Sequence, residues 1–285
     1  MINVNSFFEI GNGHNICDDY CFHESFYCGP DIHIAYLSDG CSGSQNTNIG
    51  SRLIVHYVKK NILNLIKNNI NKDDLILFIE KLFKENTLKK VIEELQLNDT
   101  CLDATLWIIL NINNKIMVFG WGDGNVICKR GDLIQITRFS FERSFPFYLN
   151  YFSDPIRLIG YNELNIERKI ETFLYKMEKQ SNGEIKYIDC GMNTSKDIPR
   201  ESFYCNHPSL LDSPEFICVY SDGIETYNNE VVNMPQQNYN CLRHVEFKSF
   251  SGDFIEKRMK ALSRRDKQNN INHFDDLSGI GIVNE

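Results

Sequence analysis

Nowhere in the 285 residues does an apolar run approach the roughly 18 residues that a membrane-spanning helix needs, so no membrane segment is expected. The N-terminus, MINVNSFFEIGNG, lacks a basic region followed by an apolar stretch, which argues against a secretory leader. An excess of positive charge is missing too. Lys and Arg number 30 against 38 Asp and Glu, a formal net charge of −8. That balance argues against nucleic-acid or membrane-surface partners and suits cations. The chain has ten cysteines but no CxxC pair, and Cys205 with His207 is the nearest approach to a zinc ligand set. Cys101, Cys128, Cys190 and Cys218 lie in or beside apolar runs, where cysteine behaves as a small hydrophobe. Reduced, mostly buried thiols in a soluble cytoplasmic protein are therefore expected. Repeats and low-complexity tails are absent as well, and the length suits one domain with a sizeable core.

What is present is organised around YLSDGCSGSQNTNIGSR, Tyr36 to Arg52. Alternating Ile32, Ile34 and Tyr36 predict a strand that delivers Asp39 into a Gly-rich turn, with a helix beginning near Asn46. A carboxylate at a strand end beside glycines can set an acidic ligand and a bare carbonyl against a hard cation. A single Asp-Gly is first of all a turn dipeptide. Recurrence changes its weight: Gly122-Asp123-Gly124, Ser221-Asp222-Gly223 and Asp275-Asp276 repeat the design beside apolar runs, and Asp18-Asp19 leads into a strand. Adjacent carboxylates in a strand point to opposite faces, so at most one of Asp18 and Asp19 meets a given metal directly, while the other works through water.

Phe7, Phe8 and Ile10 open the chain ahead of the turn-rich Gly11-Asn12-Gly13-His14. Ile49, Leu53 and Tyr57, with Ile54, Val58, Ile62 and Leu65, predict a helix with a wide apolar face, and one or two more helices follow from Lys72 to Leu97. Hairpins are expected around Asn113-Asn114, around Gly131-Asp132, and between 169–176 and 184–189 across Ser181-Asn182-Gly183. A buried strand from Phe216 to Tyr220, a helix from Asp253 to Leu262 and a last strand from Gly279 to Val283 complete the pattern. Five of the seven prolines fall between Phe139 and Pro214, and residues 139–215 read as a loop-rich surface elaboration. Consecutive hairpins between helical blocks predict an α+β layered domain spanning 1–285.

Gathered at close range, these aspartates repel and need either protons or divalent cations. Oxygen ligands without a His/Cys set select Mg²⁺ or Mn²⁺. Two such ions roughly 3.5–4 Å apart can generate hydroxide and clamp a phosphoryl group. The chemistry alone points to metal-assisted phosphate-ester hydrolysis, with scattered turn aspartates that never meet as the alternative.

The order of motifs resembles the metal-dependent protein phosphatases of the PPM or PP2C type, in particular their bacterial branch. The segments that carry the resemblance are Gly11–His14, Cys17-Asp18-Asp19, Asp39–Ser44, Gly50-Ser51, Ala104-Thr105-Leu106, Gly122–Gly124, Ser221–Gly223 and Asp275-Asp276, from residue 11 to 283. The resemblance implies a four-layer αββα sandwich, two antiparallel β-sheets flanked by helices, with the metals at one end. It implies that Asp39 bridges two Mg²⁺ or Mn²⁺ ions and that the Gly40 carbonyl binds one of them. Asp18, Asp222 and Asp275 would complete the ligand set of the second metal, Asp19 would hold metal-bound water, and Asp123 would serve a weaker third site. A metal-bridging hydroxide would attack phosphorus directly, on phosphoserine or phosphothreonine of a protein substrate, in a protein expected to be monomeric.

Departures from the family pattern are readable too. His14 falls where many members have a phosphate-gripping Arg and counts with Asp39 and Asp19 among the candidate catalytic residues. Cys41 replaces a His that is a candidate general acid, Asp18 is a methylene shorter than the usual Glu, and Thr226, beside Glu225, stands where an Asp often assists the third metal. Two rival readings follow: a pseudophosphatase acting as a binding or regulatory module, and a cysteine hydrolase using Cys41 or Cys205, for which no Cys/His spacing supplies a base.

Overall fold

Alternation along the strand that ends at Ser38 sets up the layers. The computed structural model describes residues 2–27, 31–66, 72–85, 87–181, 183–195, 203–205, 214–229 and 234–284. In β3 (Asp31–Ser38), Ile32, Ile34 and Tyr36 face one way and Ala35 and Leu37 the other, as a pleated strand requires. The first set packs under α1 (Thr47–Ile66), α2 (Lys72–Lys84) and α3 (Thr87–Glu94), where Ile54, Val58 and Ile62 recur at helical spacing and are fully buried. The second set faces another sheet.

Both sheets are antiparallel. One runs in the spatial order β1 (Ile2–Glu9), β12 (Leu277–Asn284), β11 (Phe216–Tyr220), β6 (Gly124–Arg130), β7 (Leu133–Phe141), β8 (Arg168–Lys179) and β9 (Ile185–Ser195). The other runs β10 (Phe203–Cys205), β5 (Lys115–Trp121), β4 (Leu106–Ile112), β3 and β2 (Tyr20–Tyr27). Between them, Ala35, Leu37, Trp107 and Ile109 meet Val126, Ile217, Val219 and Ile280. On the far face of the larger sheet, α5 (Gln236–His244) and α6 (Phe254–Gln268) bury Cys241, Leu242, Ile255 and Met259. Each such side chain contributes roughly 1.5–3 kcal/mol when fully buried. The result is the αββα sandwich.

The expected hairpins form. Asn113 and Asn114 take positive φ of 50° and 65°, the backbone a tight primed turn demands. The β8–β9 pair is longer than its sequence pattern, running from Ile170↔Ser195 to Lys179↔Ile185 with a bulge between Leu174 and Tyr175. Asn182 of its turn and His207 lie outside the described residues.

Three features differ from the sequence reading. The N-terminal residues form β1, paired with β12 from Ile2↔Asn284 to Glu9↔Leu277, a partner too distant in sequence to be read locally. Cys190 is exposed on β9 instead of buried. The segment after Phe139 is not simply solvated loop: Phe141, Phe147, Tyr148, Tyr151, Tyr161 and Ile166 bury one another in a separate aromatic cluster next to α4 (Pro155–Glu163). Proline density marked the turns there, while the aromatic rings supply the apolar area that closes the segment on itself. Among the described residues no helix is long and apolar enough to cross a membrane.

Candidate metal centre

The strand registers bring the acids to one end of the sandwich. Tyr20 pairs with Ser38, Leu37 with Trp107 and Leu106 with Trp121 in the smaller sheet. Tyr220 pairs with both Asn125 and Gly279 in the larger one. Asp19 therefore enters β2 where Asp39 leaves β3, and Asp222 leaves β11 where Asp275-Asp276 enter β12. Asp123 sits in the link from β5 to β6, which carries the chain from one sheet to the other. The indole N–H of Trp107 donates to the Asp123 carbonyl at 2.7 Å and fixes that link.

The Asp39 turn is held by its backbone. Asp39 N–H donates to the Thr105 hydroxyl at 3.0 Å, and Thr105 N–H returns a bond to the Asp39 carbonyl at 2.8 Å. Gly40 must be glycine, because a Cβ there would stand 2.8 Å from the Asp18 carbonyl and from the Thr47 Cβ. At Gly223 a Cβ would overlap the Asp276 carbonyl at 1.8 Å, so the Asp222 turn presses directly on the strand that carries Asp275.

Electrostatically the centre is under strain. Burial, then the charges of Asp19, Asp222 and Asp123, holds the Asp39 carboxyl well above the usual range. Asp123 is likewise raised well above it by burial and by Asp222, Glu225 and Asp275. Asp222 is pushed up to about 6, by burial first and Asp275 second. Asp19 is pushed up to about 7, mainly by burial. The side chains of Asp39, Ser278 and Ser221 stand close enough to ease that shift, yet none meets an Asp19 oxygen with full hydrogen-bond geometry. Asp19 is 1% exposed with both oxygens unpartnered. Buried carboxylate oxygens without donors are costly unless a cation joins them. The donor set, all carboxylate, suits a hard divalent ion such as Mg²⁺ or Mn²⁺.

Asp18 points elsewhere. It lies with His14 and Asp276, and the three offer ligand atoms within 4.8 Å of one another. Asp276 is already occupied, however: its Oδ1 accepts Gly11 N–H at 2.8 Å, and its Oδ2 accepts Asp18 N–H at 2.6 Å and faces His14 Nδ1 at 2.9 Å. These donors make the group a hydrogen-bonded knot. His14 Nε2 stands 3.3 Å from Asp275 Oδ1. Burial by itself would lower the His14 pKa, but the hydrogen bond to Asp276 and the charges of Asp276, Asp275 and Asp18 outweigh it, and the net shift is upward.

One wall of the centre comes from the aromatic segment. Asp103 joins it to the Asp39 turn: its carbonyl accepts Cys41 N–H at 2.9 Å, and its carboxylate accepts Ser44 Oγ, Asn150 Nδ2 and an Arg157 guanidinium N–H at 3.1, 3.0 and 2.7 Å. Cys41 packs against the aromatic cluster that contains Tyr148. On the opposite side Glu225 accepts Arg138 Nε at 2.9 Å and Asn125 Nδ2 at 3.0 Å.

No protein-family model and no curated protein matches the chain. Solved structures do. The serine/threonine phosphatase of S. agalactiae aligns at a TM-score of 0.53 and 14% identity, over 100% of both chains. Stp1, a serine/threonine phosphatase of Staphylococcus aureus, aligns at 0.50 and 14% identity over 100% of this chain and 96% of that one. The PP2C phosphatase domain of Bacillus subtilis SpoIIE, solved with a regulatory fragment, aligns at 0.52 and 12% identity over 99% of this chain, which spans 63% of that longer one. The fold is that of the PP2C-type phosphatases.

Within this PP2C-type fold the sequence-derived candidates separate into two groups. Asp19, Asp39, Asp123, Asp222 and Asp275 influence one another directly, and Gly40 is buried beside them. Asp18 and His14 belong to the adjacent knot, so it is Asp19, not Asp18, that faces Asp39. Thr226 serves the backbone. Its hydroxyl donates to the Gly223 carbonyl at 2.8 Å and accepts Phe274 and Asp275 N–H at 3.1 Å each, tying the two acidic turns together. Sequence reasoning missed Tyr148, which lies in the stretch read as loop, and the knot role of Asp276, whose partners sit at the other end of the chain.

Proposed function

We propose that this chain is a phosphatase that hydrolyses phosphate monoesters with the help of Mg²⁺ or Mn²⁺, acting on phosphoserine or phosphothreonine of proteins. The observation that carries the reading is the Asp19 carboxylate, buried without a hydrogen bond of full geometry among three further acids whose titration is pushed up. The PP2C-type fold supports it, and so does the company that fold keeps, since the aligned structures are serine/threonine phosphatases. A reducing compartment such as the cytoplasm suits Cys17, Cys21, Cys41, Cys101, Cys128, Cys190, Cys218 and Cys241, all free thiols.

Asp19, Asp39, Asp222 and Asp275 would hold two cations, with the Gly40 carbonyl as a neutral oxygen ligand. Asp123 would take a third, more weakly. Bound there, such ions supply an acidified water and neutralise phosphoryl charge. The chain does the rest. Asp18 closes the knot that holds the Gly11–His14 loop, and Asp276 fixes the backbone on which Asp275 is presented. His14, with both nitrogens on carboxylates, orients Asp275; a phosphate grip would need it to leave them.

The test is phosphate release from p-nitrophenyl phosphate in Mn²⁺, with and without chelator, followed by a phosphopeptide panel. Metal-dependent turnover that favours phosphoserine or phosphothreonine peptides is expected. A protein that binds Mn²⁺ yet releases no phosphate would instead be a binding module on the same fold.

A further inference from the structure

Far from the acids, a cavity of about 280 Å³ opens between the larger sheet and the chain that links α5 to α6. Phe216 opens β11 there, about 14 Å along the strand from Tyr220 at the acidic end. Three phenyl rings form its apolar wall. Phe216 stands 5.2 Å from Phe247 and 5.7 Å from Phe250, and those two rings are 5.5 Å apart. Ile134, Met177 and Ile185 continue the wall from the strands, and Phe247 and Phe250 are only half-buried.

Four charged side chains also line the cavity, and three of them are already matched. Glu246 accepts the Tyr187 hydroxyl on Oε1 at 2.7 Å and an Arg258 guanidinium N–H on Oε2 at 2.8 Å. Arg258 also donates from Nε to the Arg243 carbonyl at 2.8 Å. Lys129 is paired with Glu215. Lys248 is the exception: it is exposed at the lip and has no ion pair among the described residues. The cavity therefore carries one unmatched positive charge, on a chain whose formal charge is −8.

We infer that this cavity binds a small apolar monocarboxylate, its body on the three phenyl rings and its carboxylate on Lys248. Concave, mostly apolar sites with a few fixed polar groups are where small molecules bind, and this one is at the lower end of their size range. At roughly 30 Å³ for a water-sized group, it holds about nine non-hydrogen atoms, a short alkyl chain or a single ring. A single ammonium complements a single negative charge. A dianion such as a phosphate monoester would find the other two cations already committed, and an amine would meet Lys248 as a like charge. The site is separate from the acids and does not depend on what they catalyse.

Calorimetric titration of the metal-free full chain tests this, since without metal a carboxylate has no cation to bind at the acids. Octanoate and 3-phenylpropanoate should each bind with a Kd below about 1 mM, and the tighter of the two tells whether the body is a chain or a ring. Octanamide, which keeps the shape and loses the charge, should bind about fivefold more weakly than octanoate, the scale of a partly exposed ion pair. In Lys248→Met the acid and the amide should bind within about twofold of each other. Met177→Trp fills the cavity and should weaken acid and amide alike by at least about tenfold; should it fail to fold, Ile185→Trp at the exposed edge serves instead. Saturable binding of neither acid overturns the proposal. So does an amide that binds as tightly as the acid, an acid preference that survives in Lys248→Met, or affinity that ignores the filled cavity.

Discussion

Asp19 and Asp276 are equally buried, at 1% and 2% exposed, and both stand at the same end of the sandwich. Asp276 is met by two backbone N–H groups and by His14, whereas Asp19 meets no donor of full geometry. Elsewhere the Asp266 Oδ1 is met by the Arg243 guanidinium, although its Oδ2 has no partner. The chain can thus provide partners for a buried acid where the fold alone needs one. A cluster without them is arranged for a partner that comes from outside, which is why Asp19, Asp39, Asp123 and Asp222 are read as cation ligands and Asp276 as a fastener.

The sharpest way to break that contrast is to neutralise the clustered acids around Asp19. Asp39→Asn, Asp222→Asn and Asp19→Asn should each lower Mn²⁺-dependent kcat by at least about 100-fold, a loss that even outer-shell changes at metal sites can reach. The metal-free variants should melt no lower than wild type, because each removes a repelling charge. Asp18→Asn should cost less than about tenfold, since its carboxylate is met by Thr47 and the Asn48 backbone and its N–H still bonds Asp276. Near-wild-type turnover of Asp39→Asn would end the two-cation reading. An Asp18→Asn loss as deep as that of Asp19→Asn would reverse the assignment of the adjacent pair.

Asp276 should behave in the opposite way. Asp276→Ala strands Gly11 N–H, Asp18 N–H and His14 together, and a loss of about 3 kcal/mol in metal-free stability is expected from buried donors left unpaired. Urea unfolding without added metal measures it. A variant as stable as wild type would mean that the knot is not what holds the Asp275 loop.

Proton linkage gives a smaller effect with a definite sign. Asp19 and Asp222 titrate near 7 and 6 in the folded chain, and Asp39 and Asp123 are raised as well, against about 3.9 when unfolded. Between those limits the folded state holds more protons. This contribution to stability is therefore complete below about pH 4 and is lost as pH rises through 6 to 7. His14, also raised, acts in the same direction. His244 opposes them: burial holds its pKa well below the ordinary value, so below about pH 6.5 the unfolded state takes a proton that the folded state refuses. His23 and His33 are lowered by burial as well. With these four acids, Asp18 and His14 raised against three lowered histidines, the metal-free Tm should be higher at pH 6 than at pH 8, and His244→Gln should steepen the slope. Mn²⁺ at about 100 times its Kd should restore about 2.7 kcal/mol at the higher pH. A melt indifferent to both pH and Mn²⁺ would count against a cation centre.

How much of the molecule was readable beforehand follows from the range of the forces involved. Turn chemistry is local, so Asp39-Gly40, Asn113-Asn114 and Ser221-Asp222-Gly223 announced themselves; apolar alternation marked β3, and continuous apolar runs marked β4 and β11. Partners at the two ends of the chain were not readable: β1 with β12, or Gly11 N–H with Asp276, depend on closure of the larger sheet. The choice between Asp18 and Asp19 was a matter of strand facing, which sequence limits to one of two answers and the β2–β3 register decides. Tyr148 gave no signal, because an aromatic residue among prolines reads equally as loop or as core.

The smallest expected effect concerns Cys41, the residue whose place beside Asp39 most invites a catalytic role. Its structural work is done by the backbone. Cys41 N–H donates to the Asp103 carbonyl at 2.9 Å, and its own carbonyl accepts Ser44 N–H at 3.0 Å and the Thr47 hydroxyl at 3.2 Å. None of these bonds involves sulfur. The thiol packs on the aromatic cluster, and a serine side chain of nearly the same size fits that place. No histidine is bonded to it among the described residues to serve as a base, and the nearest candidate by motif, His14, is held on Asp275 and Asp276. Cys41→Ser should therefore keep kcat in Mn²⁺ within about threefold of wild type, whereas loss of a covalent nucleophile costs orders of magnitude. Cys41→His would place a proton donor at the Asp39 turn and should raise turnover of poor leaving groups. Mass spectrometry of the enzyme quenched during turnover should find no phosphate on Cys41. A dead Cys41→Ser enzyme, or a trapped phosphocysteine, would transfer the chemistry from the acids to the thiol, and the contrast between Asp19 and Asp276 would then describe a cation site that only supports it.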